Sequence, residues 1–310
     1  MSGIHHVTAI SGSPNRNLDF YTSTLGLRLV KKTVNFDDPG TYHLYYGDET
    51  GQPGTILTFF PWEHAAPGQG GVGQTQQTVF RVPSQSVGYW THRLIEKGVK
   101  HETPSKRFGQ SIIEFSDPDG LRLALVGLDG AEGEPARGRG DVPQEHAIRG
   151  FHGVTLLLET AEPTADVLTR VLGFAPDGKD EGLRRYKAAS PIGGYVDIQE
   201  AKGFLRGRMG RGSVHHVAFR AKDDAEQVAM AKKLIEDHGL QPTHQLDRQY
   251  FRSIYFQEPG GILFEIATDE PGFAIDENVE TLGTSLKLPA FLENRRSKIE
   301  AMLPALEVSA

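Results

Sequence analysis

The sequence predicts an α+β protein made of four βαβββ modules that pair into two half-barrel domains. The same series of patterns occurs four times along the 310 residues. Each copy consists of a strand, an amphipathic helix and three further strands. A segment rich in Gly, Pro and charge separates the second copy from the third. A single module has one apolar sheet face and one helix and cannot bury a core alone, so we expect modules to pair around a concave face suited to a ligand.

The first module begins with the strand-like stretch "IHHVTAI". Leu18, Tyr21 and Leu25 follow at helical spacing, and Gly26 stands where a helix C-cap is expected. Three strand-like stretches close the module: "LRLVKKTVNF", "YHLYYGD" and "GTILTFF". This order defines the unit that the other three copies repeat.

The other modules begin at "QQTVFRV", "FHGVTLLL" and "VHHVAFRA". Their predicted helices are "VGYWTHRLIEKGV", "ADVLTRVLGF" and "EQVAMAKKLIEDHGL". The second and fourth modules end alike, in "SDPDGLRLALV" and "QEPGGILFEIA", each a turn that leads into a final strand. We therefore predict a domain of two modules over 1–130, a linker over 131–149, a second such domain over 150–270 and a tail over 271–310.

The tail contains "LKLPAFLENRRSKIEAMLPAL", which predicts a short amphipathic helix between Pro289 and Pro304. Its candidate apolar contacts are Leu292, Ile299, Met302 and Leu303. A cap on the repeat or a subunit contact is the favoured role over a lid.

Composition limits the classes of function. A net charge of -7 argues against a nucleic-acid-binding face. Cysteine is absent, which leaves His and carboxylate side chains as the strong metal ligands. No apolar run approaches the roughly 18 residues of a membrane span, so we expect a cytoplasmic protein without a membrane partner. A homo-oligomer is possible.

Alternation along the last strand places one carboxylate on the concave face. In "GGILFEIA", the apolar residues Ile262, Phe264 and Ile266 share the face that packs on a helix. Glu265 must then point to the opposite, concave face.

The same reasoning places His216 in the concavity. Val217 and Phe219 mark the helix side of "VHHVAFRA", which puts His215 with them and His216 opposite. Tyr255 in "FRSIYFQE" also points into the concavity by alternation.

His6 is assigned mainly by its position in the repeat. Val7 and Ala9 indicate that His6 points inward, but Ile4 falls on the same face as His6. His6 nevertheless matches His216 in the repeat.

Two imidazoles and a carboxylate on three strands form a facial triad, which is typical of non-heme iron(II) oxygenases. A lone strand His or Glu is more often an ordinary hydrogen-bonded residue, so the case depends on His6, His216 and Glu265 acting together. Thr58 and Ala124 match Glu265 in the first two modules, and neither is a strong ligand. One complete site is therefore expected.

With these residues, the sequence resembles the vicinal oxygen chelate superfamily of glyoxalase I, bleomycin resistance proteins and extradiol dioxygenases. Within it, the four-module layout and "DFYTSTLGLRLVKKTVNFDDPGTYHLYYGDETGQPGTILTFFPW" resemble hydroquinone ring-cleaving dioxygenases. The resemblance implies that His6, His216 and Glu265 hold Fe(2+), with Mn(2+) possible. It also implies that both atoms of O2 enter a hydroquinone or catechol, a reaction of aromatic compound catabolism.

The resemblance further implies polar groups around the metal. The matching positions are His5, Thr8, His215, Arg248 and Tyr255. Tyr255 is the candidate hydrogen-bond donor to the substrate oxygen or dioxygen, Arg248 can stabilise negative charge, and Thr8 or a carbonyl can fix a ligand tautomer. Alternatively, His5 and His215 bond the backbone on the helix side, and Arg248 pairs with Asp247 or lies on a rim.

Two other functions stay open. One is a non-redox lyase or isomerase of the glyoxalase I type, although such sites usually recruit a second carboxylate where this chain has Thr58. The other is a metal-free binding or resistance protein. The aromatic substrate, the choice between iron and manganese, and the oligomeric state are not decided by the sequence.

Overall fold

A computed structural model describes residues 2–306 and contains the four predicted modules, each with the order βαβββ. Residue 1 and residues 307–310 belong to the predicted first domain and tail and lie outside the described residues. The predicted fold class is confirmed, with two curled eight-stranded sheets.

Each module consists of five elements in the same chain order. Those of the first are β1 (Ile4–Ser11), α1 (Pro14–Asp19) continuing into a π-helical turn (Phe20–Thr24), β2 (Arg28–Val34), β3 (Tyr42–Gly47) and β4 (Ile56–Pro61). Those of the second are β5 (Gln74–Pro83), α2 (Val87–Glu96), β6 (Ser105–Arg107), β7 (Gln110–Ser116) and β8 (Arg122–Leu128). Those of the third are β9 (Phe151–Leu158), α3 (Glu162–Arg170), β10 (Ala175–Asp180), β11 (Leu183–Lys187) and β12 (Tyr195–Glu200). Those of the fourth are β13 (Ser213–Ala221), α4 (Asp224–His238), β14 (Leu246–Asp247), β15 (Arg252–Gln257) and β16 (Leu263–Thr268).

The modules do not pair in sequence order. One sheet joins the first module to the fourth in the order β14-β15-β16-β13-β1-β4-β3-β2. The other joins the second to the third in the order β10-β11-β12-β9-β5-β8-β7-β6. Each sheet thus takes one module from each predicted domain, and the boundaries at 130 and 150 stay a prediction. The central pairs, β1 with β13 and β5 with β9, are antiparallel.

The hydrophobic core lies between the helices and one face of each sheet. Ile262, Phe264 and Ile266 belong to its main cluster, as alternation along β16 predicts. Ile254 and Phe256 of β15 lie in the same cluster. The opposite faces of the sheets are therefore the concave ones.

The predicted linker packs against the second module. It contains two short 3-10 turns, Ala131–Gly133 and Gln144–His146. The indole nitrogen of Trp90 donates a hydrogen bond of 2.9 Å to the carbonyl of His146. Val142 and Ala147 are buried in the main core cluster.

The tail forms two short helices, α5 (Ala290–Glu293) and α6 (Arg296–Met302), in place of the single predicted helix. Leu292 and Ile299 are buried together with Val34 of β2, and Leu303 packs against them. Met302 is 47% exposed, so its predicted contact is wrong. The tail therefore covers the outer edge of the first module. Among the described residues, no helix is long and apolar enough to cross a membrane.

A buried ion pair joins the tail to β2. The ammonium of Lys31 is fully buried and lies 2.5 Å from Asp276 and 2.6 Å from Glu277. The ammonium also lies over the ring of Tyr250, 4.9 Å from the ring centre. Removing one partner of such a pair leaves buried charge without compensation.

We expect Lys31→Met to lower the free energy of unfolding by about 3 kcal/mol, because the carboxylates of Asp276 and Glu277 lose their counter-ion. Lys32→Met, one residue along the same strand at a partly exposed position, is the matched control and should cost at most about 0.5 kcal/mol. Urea unfolding followed by circular dichroism measures both. Equal stability of the two variants would contradict the role of Lys31.

Candidate metal centre

Three adjacent strands bring the predicted triad together. Glu265 of β16 pairs with Ala218 of β13, and Ala218 pairs with His6 of β1, so the three residues form one row across the sheet. His216 lies two residues before Ala218 and points to the same face. The small, fully buried side chain of Ala218 leaves space in which the longer side chains on both sides meet.

The ligand-type atoms of the triad form a small triangle. Oε2 of Glu265 lies 3.3 Å from Nε2 of His6 and 3.0 Å from Nε2 of His216. The two Nε2 atoms are 3.4 Å apart. Ligands about 2.1 Å from one ion and at right angles to each other are separated by about 3 Å. The triangle therefore has the dimensions of one face of a metal coordination shell.

The hydrogen bonds of Glu265 also suit a cation. Its Oε1 accepts a 2.5 Å hydrogen bond from the hydroxyl of Ser253, whereas its buried Oε2 has no hydrogen-bond partner. A fully buried carboxylate with an unpartnered oxygen is unfavourable unless a cation compensates it. A divalent ion at the centre of the triangle would satisfy Oε2 and both imidazoles at once.

The electrostatics of the group favour this assignment. Burial lowers the pKa of His216, so its imidazole is neutral and its Nε2 lone pair is available. Burial opposes ionisation of Glu265, but His6 and His216 outweigh it and hold the pKa of this carboxyl well below its usual range. A charged carboxylate beside neutral imidazole is the ionisation state in which such residues bind metals.

Two β-bulges explain the paired histidines. Ile4 pairs with Phe219 and His6 pairs with Ala218, the next residue of β13. Two residues of β1 therefore correspond to one of β13, and His5 is the extra residue. Further along, Thr8 pairs with His216 and Ala9 pairs with Val214, so the extra residue now lies in β13 and is His215. Each bulge places an additional imidazole beside a member of the triad.

Each extra histidine contacts its neighbour through the ring. Nδ1 of His5 lies 2.9 Å from Nδ1 of His6, and Nδ1 of His215 lies 2.8 Å from Nδ1 of His216. When Nε2 of a triad histidine offers its lone pair, Nδ1 carries the proton and donates to the extra histidine. Burial, followed by the neighbouring histidine, lowers the pKa of His5 well below its usual value and that of His215 to about 3. Both extra imidazoles are thus neutral acceptors.

The orientation predicted for His215 is wrong, because the bulge in β13 interrupts the alternation there. His215 does not lie in the core with Val217 and Phe219, since its ring packs edge-on against Phe60, 5.6 Å between centres. The bulge in β1 also explains why Ile4 lies on the helix side, in the core cluster, although simple alternation puts it on the face of His6. The extra residue between Ile4 and His6 reverses the alternation.

Thr8 does not reach a triad imidazole with its side chain. Its hydroxyl pairs with that of Thr58 at 2.9 Å, and Thr58 pairs with Nε2 of His43 at 2.8 Å. Nδ1 of His43 in turn pairs with the hydroxyl of Tyr45 at 2.9 Å. The sequence reasoning missed His43 and Tyr45, although alternation along β3 against the buried Leu44 places both on the concave face.

A cavity opens beside the triad. Its polar lining includes His43, Arg248 and Tyr255. Its aromatic walls are Phe36, Phe60 and Phe251. The guanidinium of Arg248 lies 5.5 Å from the centre of the Tyr255 ring and 3.1 Å from Asp37, and not with Asp247 as the sequence allowed. His6 and His216 form the base of this cavity.

Comparison with known proteins agrees with the fold. The model of the Glyoxalase/Bleomycin resistance protein/Dioxygenase superfamily matches residues 3–125 and 148–266. The chain therefore belongs to this superfamily.

Relatives of known name cover nearly the whole chain. The chain is 49% identical over 307 residues to a Bacillus subtilis protein named "Putative ring-cleaving dioxygenase MhqO", with 99% of this chain and 97% of that protein covered. It is 36% identical over 312 residues to the chlorohydroquinone/hydroquinone 1,2-dioxygenase of Sphingobium indicum, with 96% and 95% covered. The crystal structure of glyoxalase I from Zea mays superposes with a TM-score of 0.64 at 14% identity, over 87% of this chain and 93% of that one, and shares the fold.

We predict that His5→Phe and His215→Phe each weaken divalent metal binding tenfold to a hundredfold, because the proton on the triad imidazole loses its acceptor. Anaerobic titration with Mn(2+), followed by electron paramagnetic resonance, measures the dissociation constant. His64→Phe, at an exposed histidine, is the control and should bind as the unmodified protein does. Unchanged affinity in both bulge variants would rule out the positioning role.

Proposed function

We propose that the protein is a metal-dependent, extradiol-type dioxygenase that opens the ring of a hydroquinone or catechol and inserts both atoms of O2. The observation that carries the proposal is the triangle of His6, His216 and Glu265, with an unpartnered carboxylate oxygen, at the base of an aromatic-walled cavity. The names of the dioxygenase relatives support the same reaction class.

The three side chains are proposed to hold Fe(2+), with Mn(2+) as the alternative, since this ligand set suits both ions. When bound, such an ion would hold an aromatic oxygen and dioxygen side by side and pass electron density between them. Two neutral imidazoles and one carboxylate leave a divalent ion with net positive charge, which favours an anionic aromatic oxygen.

Tyr255 is proposed to donate a hydrogen bond to the substrate oxygen or to dioxygen. Burial, followed by the charge of Glu265, raises the pKa of Tyr255 above its usual value. Its hydroxyl therefore keeps its proton at neutral pH and stays a donor. Its ring packs edge-on against His216, 5.6 Å between centres, and this contact directs the side chain along the cavity wall.

Arg248 is proposed to stabilise the negative charge that develops on the substrate. Its guanidinium lies at the mouth of the cavity, where Asp37 is 75% exposed and Arg248 is 20% exposed. An exposed partner holds Arg248 weakly, so the cation is available to an approaching anionic oxygen.

Thr58 and the aromatic walls of the cavity favour this function over the glyoxalase alternative. Thr58, where a second carboxylate would stand, is already engaged with Thr8 and His43. A single ring between Phe36, Phe60 and Phe251 suits these walls better.

The test is oxygen consumption by protein loaded anaerobically with Fe(2+) and then mixed with hydroquinone, catechol or substituted forms. We expect one O2 consumed per ring opened, followed with an oxygen electrode and by the absorbance of the ring-opened product. Incubation with 18O2 should place two labelled atoms in that product. A methylglyoxal–glutathione adduct should not be turned over.

We predict that Glu265→Gln and His216→Ala each lower bound iron below a tenth of an equivalent per chain and abolish oxygen uptake, because a ligand is lost from the triangle. Circular dichroism should show that both variants stay folded, since neither residue belongs to the hydrophobic core. Elemental analysis measures the metal. Full activity in either folded variant, or turnover of the adduct without oxygen uptake, would refute the proposed function.

A further inference from the structure

The second half-barrel has a histidine in the place that His5 has in the first. β9 pairs with β12 as β1 pairs with β4, with Gly153 opposite Tyr195 where His6 is opposite Ile56. His152 is the extra residue of a bulge in β9, as His5 is in β1. His152 thus occupies the position of His5, and Gly153 occupies that of His6.

This half-barrel cannot hold a metal in the same way. A Cβ atom at Gly153 would lie 2.1 Å from the carbonyl oxygen of Tyr195, so the backbone allows no side chain there. Gln77 and Ala124 stand in the positions of His216 and Glu265. Within residues 2–306, the triad of the first half-barrel is the one group of three ligand-type side chains close enough to share an ion.

The absence of a neighbouring imidazole leaves His152 without a partner. Its side chain is 3% exposed, and neither Nδ1 nor Nε2 has a hydrogen-bond partner. The ring stacks on Tyr195 with 4.3 Å between centres, which holds its plane in place. Burial of two unpaired polar atoms is unfavourable, and a bound molecule that pairs with them would remove that cost.

A cavity of about 640 Å³ opens beside this ring. Its lining includes Arg81, Gln110, Ser111, His152, Lys187 and Tyr195. The buried Oε1 atom of Gln110 also has no hydrogen-bond partner. Two residues from different strands of the lining thus carry enclosed, unsatisfied atoms beside one cavity whose volume suits a small ligand.

Arg81 and the nearby Arg185 have carboxylate partners, and the two other charged residues of the lining, Lys187 and Asp129, are exposed and of opposite sign. Arg81 pairs with Glu134, and Arg185 makes a two-pronged pair with Asp197 at 2.8 Å. Burial, followed by Arg185, lowers the pKa of His152 well below its usual value, so its imidazole is neutral with one donor and one acceptor. The unsatisfied oxygen of Gln110 needs a donor. These atoms match groups that both donate and accept, and they do not require a charged ligand.

We propose that the cavity around His152 is a second binding site, separate from the metal centre, for a small neutral molecule that carries hydroxyl groups. These three atoms are enclosed without a ligand, so His152 and Gln110 would reorient on binding to let hydroxyls pair with the ring nitrogens of His152 and with Oε1 of Gln110. Such a ligand is a phenol or an aliphatic polyol, which share this chemistry. The site does not depend on the proposed dioxygenase function.

The test uses His216→Ala protein, in which the metal centre is disabled, so that binding reports on the second site. Hydroquinone and, separately, glycerol are titrated without oxygen, and 1H-15N NMR shifts of the backbone amides of Gly153 and Ser111 are followed. We expect saturable shifts with one of the two probes. Saturation by hydroquinone alone identifies a phenol ligand, and saturation by glycerol alone identifies a polyol.

Two further variants in the same background connect binding to the proposed atoms. His152→Phe keeps the stacked ring without its nitrogens, and Gln110→Met removes the acceptor at a half-buried position. Each should weaken binding about tenfold, the value of one or two hydrogen bonds. His92→Phe, at an exposed histidine of α2, is the matched control and should leave binding unchanged.

The same variants have a second readout in thermal stability. His152→Phe should melt no lower than its parent without ligand, because it removes unpaired buried atoms. Failure of both probes to saturate, or unchanged affinity in both His152→Phe and Gln110→Met, would overturn the second site. Neither result would bear on oxygen uptake by the protein with an intact triad.

Discussion

The charge of one buried carboxylate determines the arrangement of the site. Glu265 is fully enclosed, and His216, the nearer of the two imidazoles, is neutral and cannot neutralise it. Its charge is tolerable only beside a cation, and the cation needs ligands on strands within reach of Glu265. Because β16 borders β13 and β13 borders β1, the first module must lie beside the fourth. The pairing of the first module with the fourth is therefore what brings both histidines within reach of Glu265.

The second constraint on these strands concerns the orientation of His6 and His216, each of which has a neighbouring histidine. An imidazole that offers Nε2 must place its Nδ1 proton on an acceptor, and regular alternation would direct the neighbouring side chain to the other face. The two bulges supply the exception, with His5 and His215 as extra residues on opposite strands of one antiparallel pair. Each strand thereby carries both a candidate ligand and the acceptor that orients it.

The sequence predicted the parts of the structure that local periodicity controls. The four modules and the orientation of Glu265 depend on unbroken alternation, and both agree with the structure. His215 was misplaced because the bulge in β13 has no periodic signature, whereas the other bulge, in β1, was visible as the conflict at Ile4. The pairing of the first module with the fourth is a non-local choice between similar sheet edges. His43 was missed because alternation along β3 was not followed, not because the signal was absent.

The two half-barrels differ in backbone spacing as well as in the residues at the three ligand positions. His6 and Gly153 occupy the same position, yet the carbonyl of Tyr195 fills the space of a Cβ atom in the second sheet. The difference is therefore built into the backbone spacing and could not be reversed by one substitution. His5 and His152 were left in matching bulges, one with an imidazole neighbour and one without. The same residue consequently contacts a candidate ligand in one sheet and has two unpaired, buried nitrogens beside a cavity in the other.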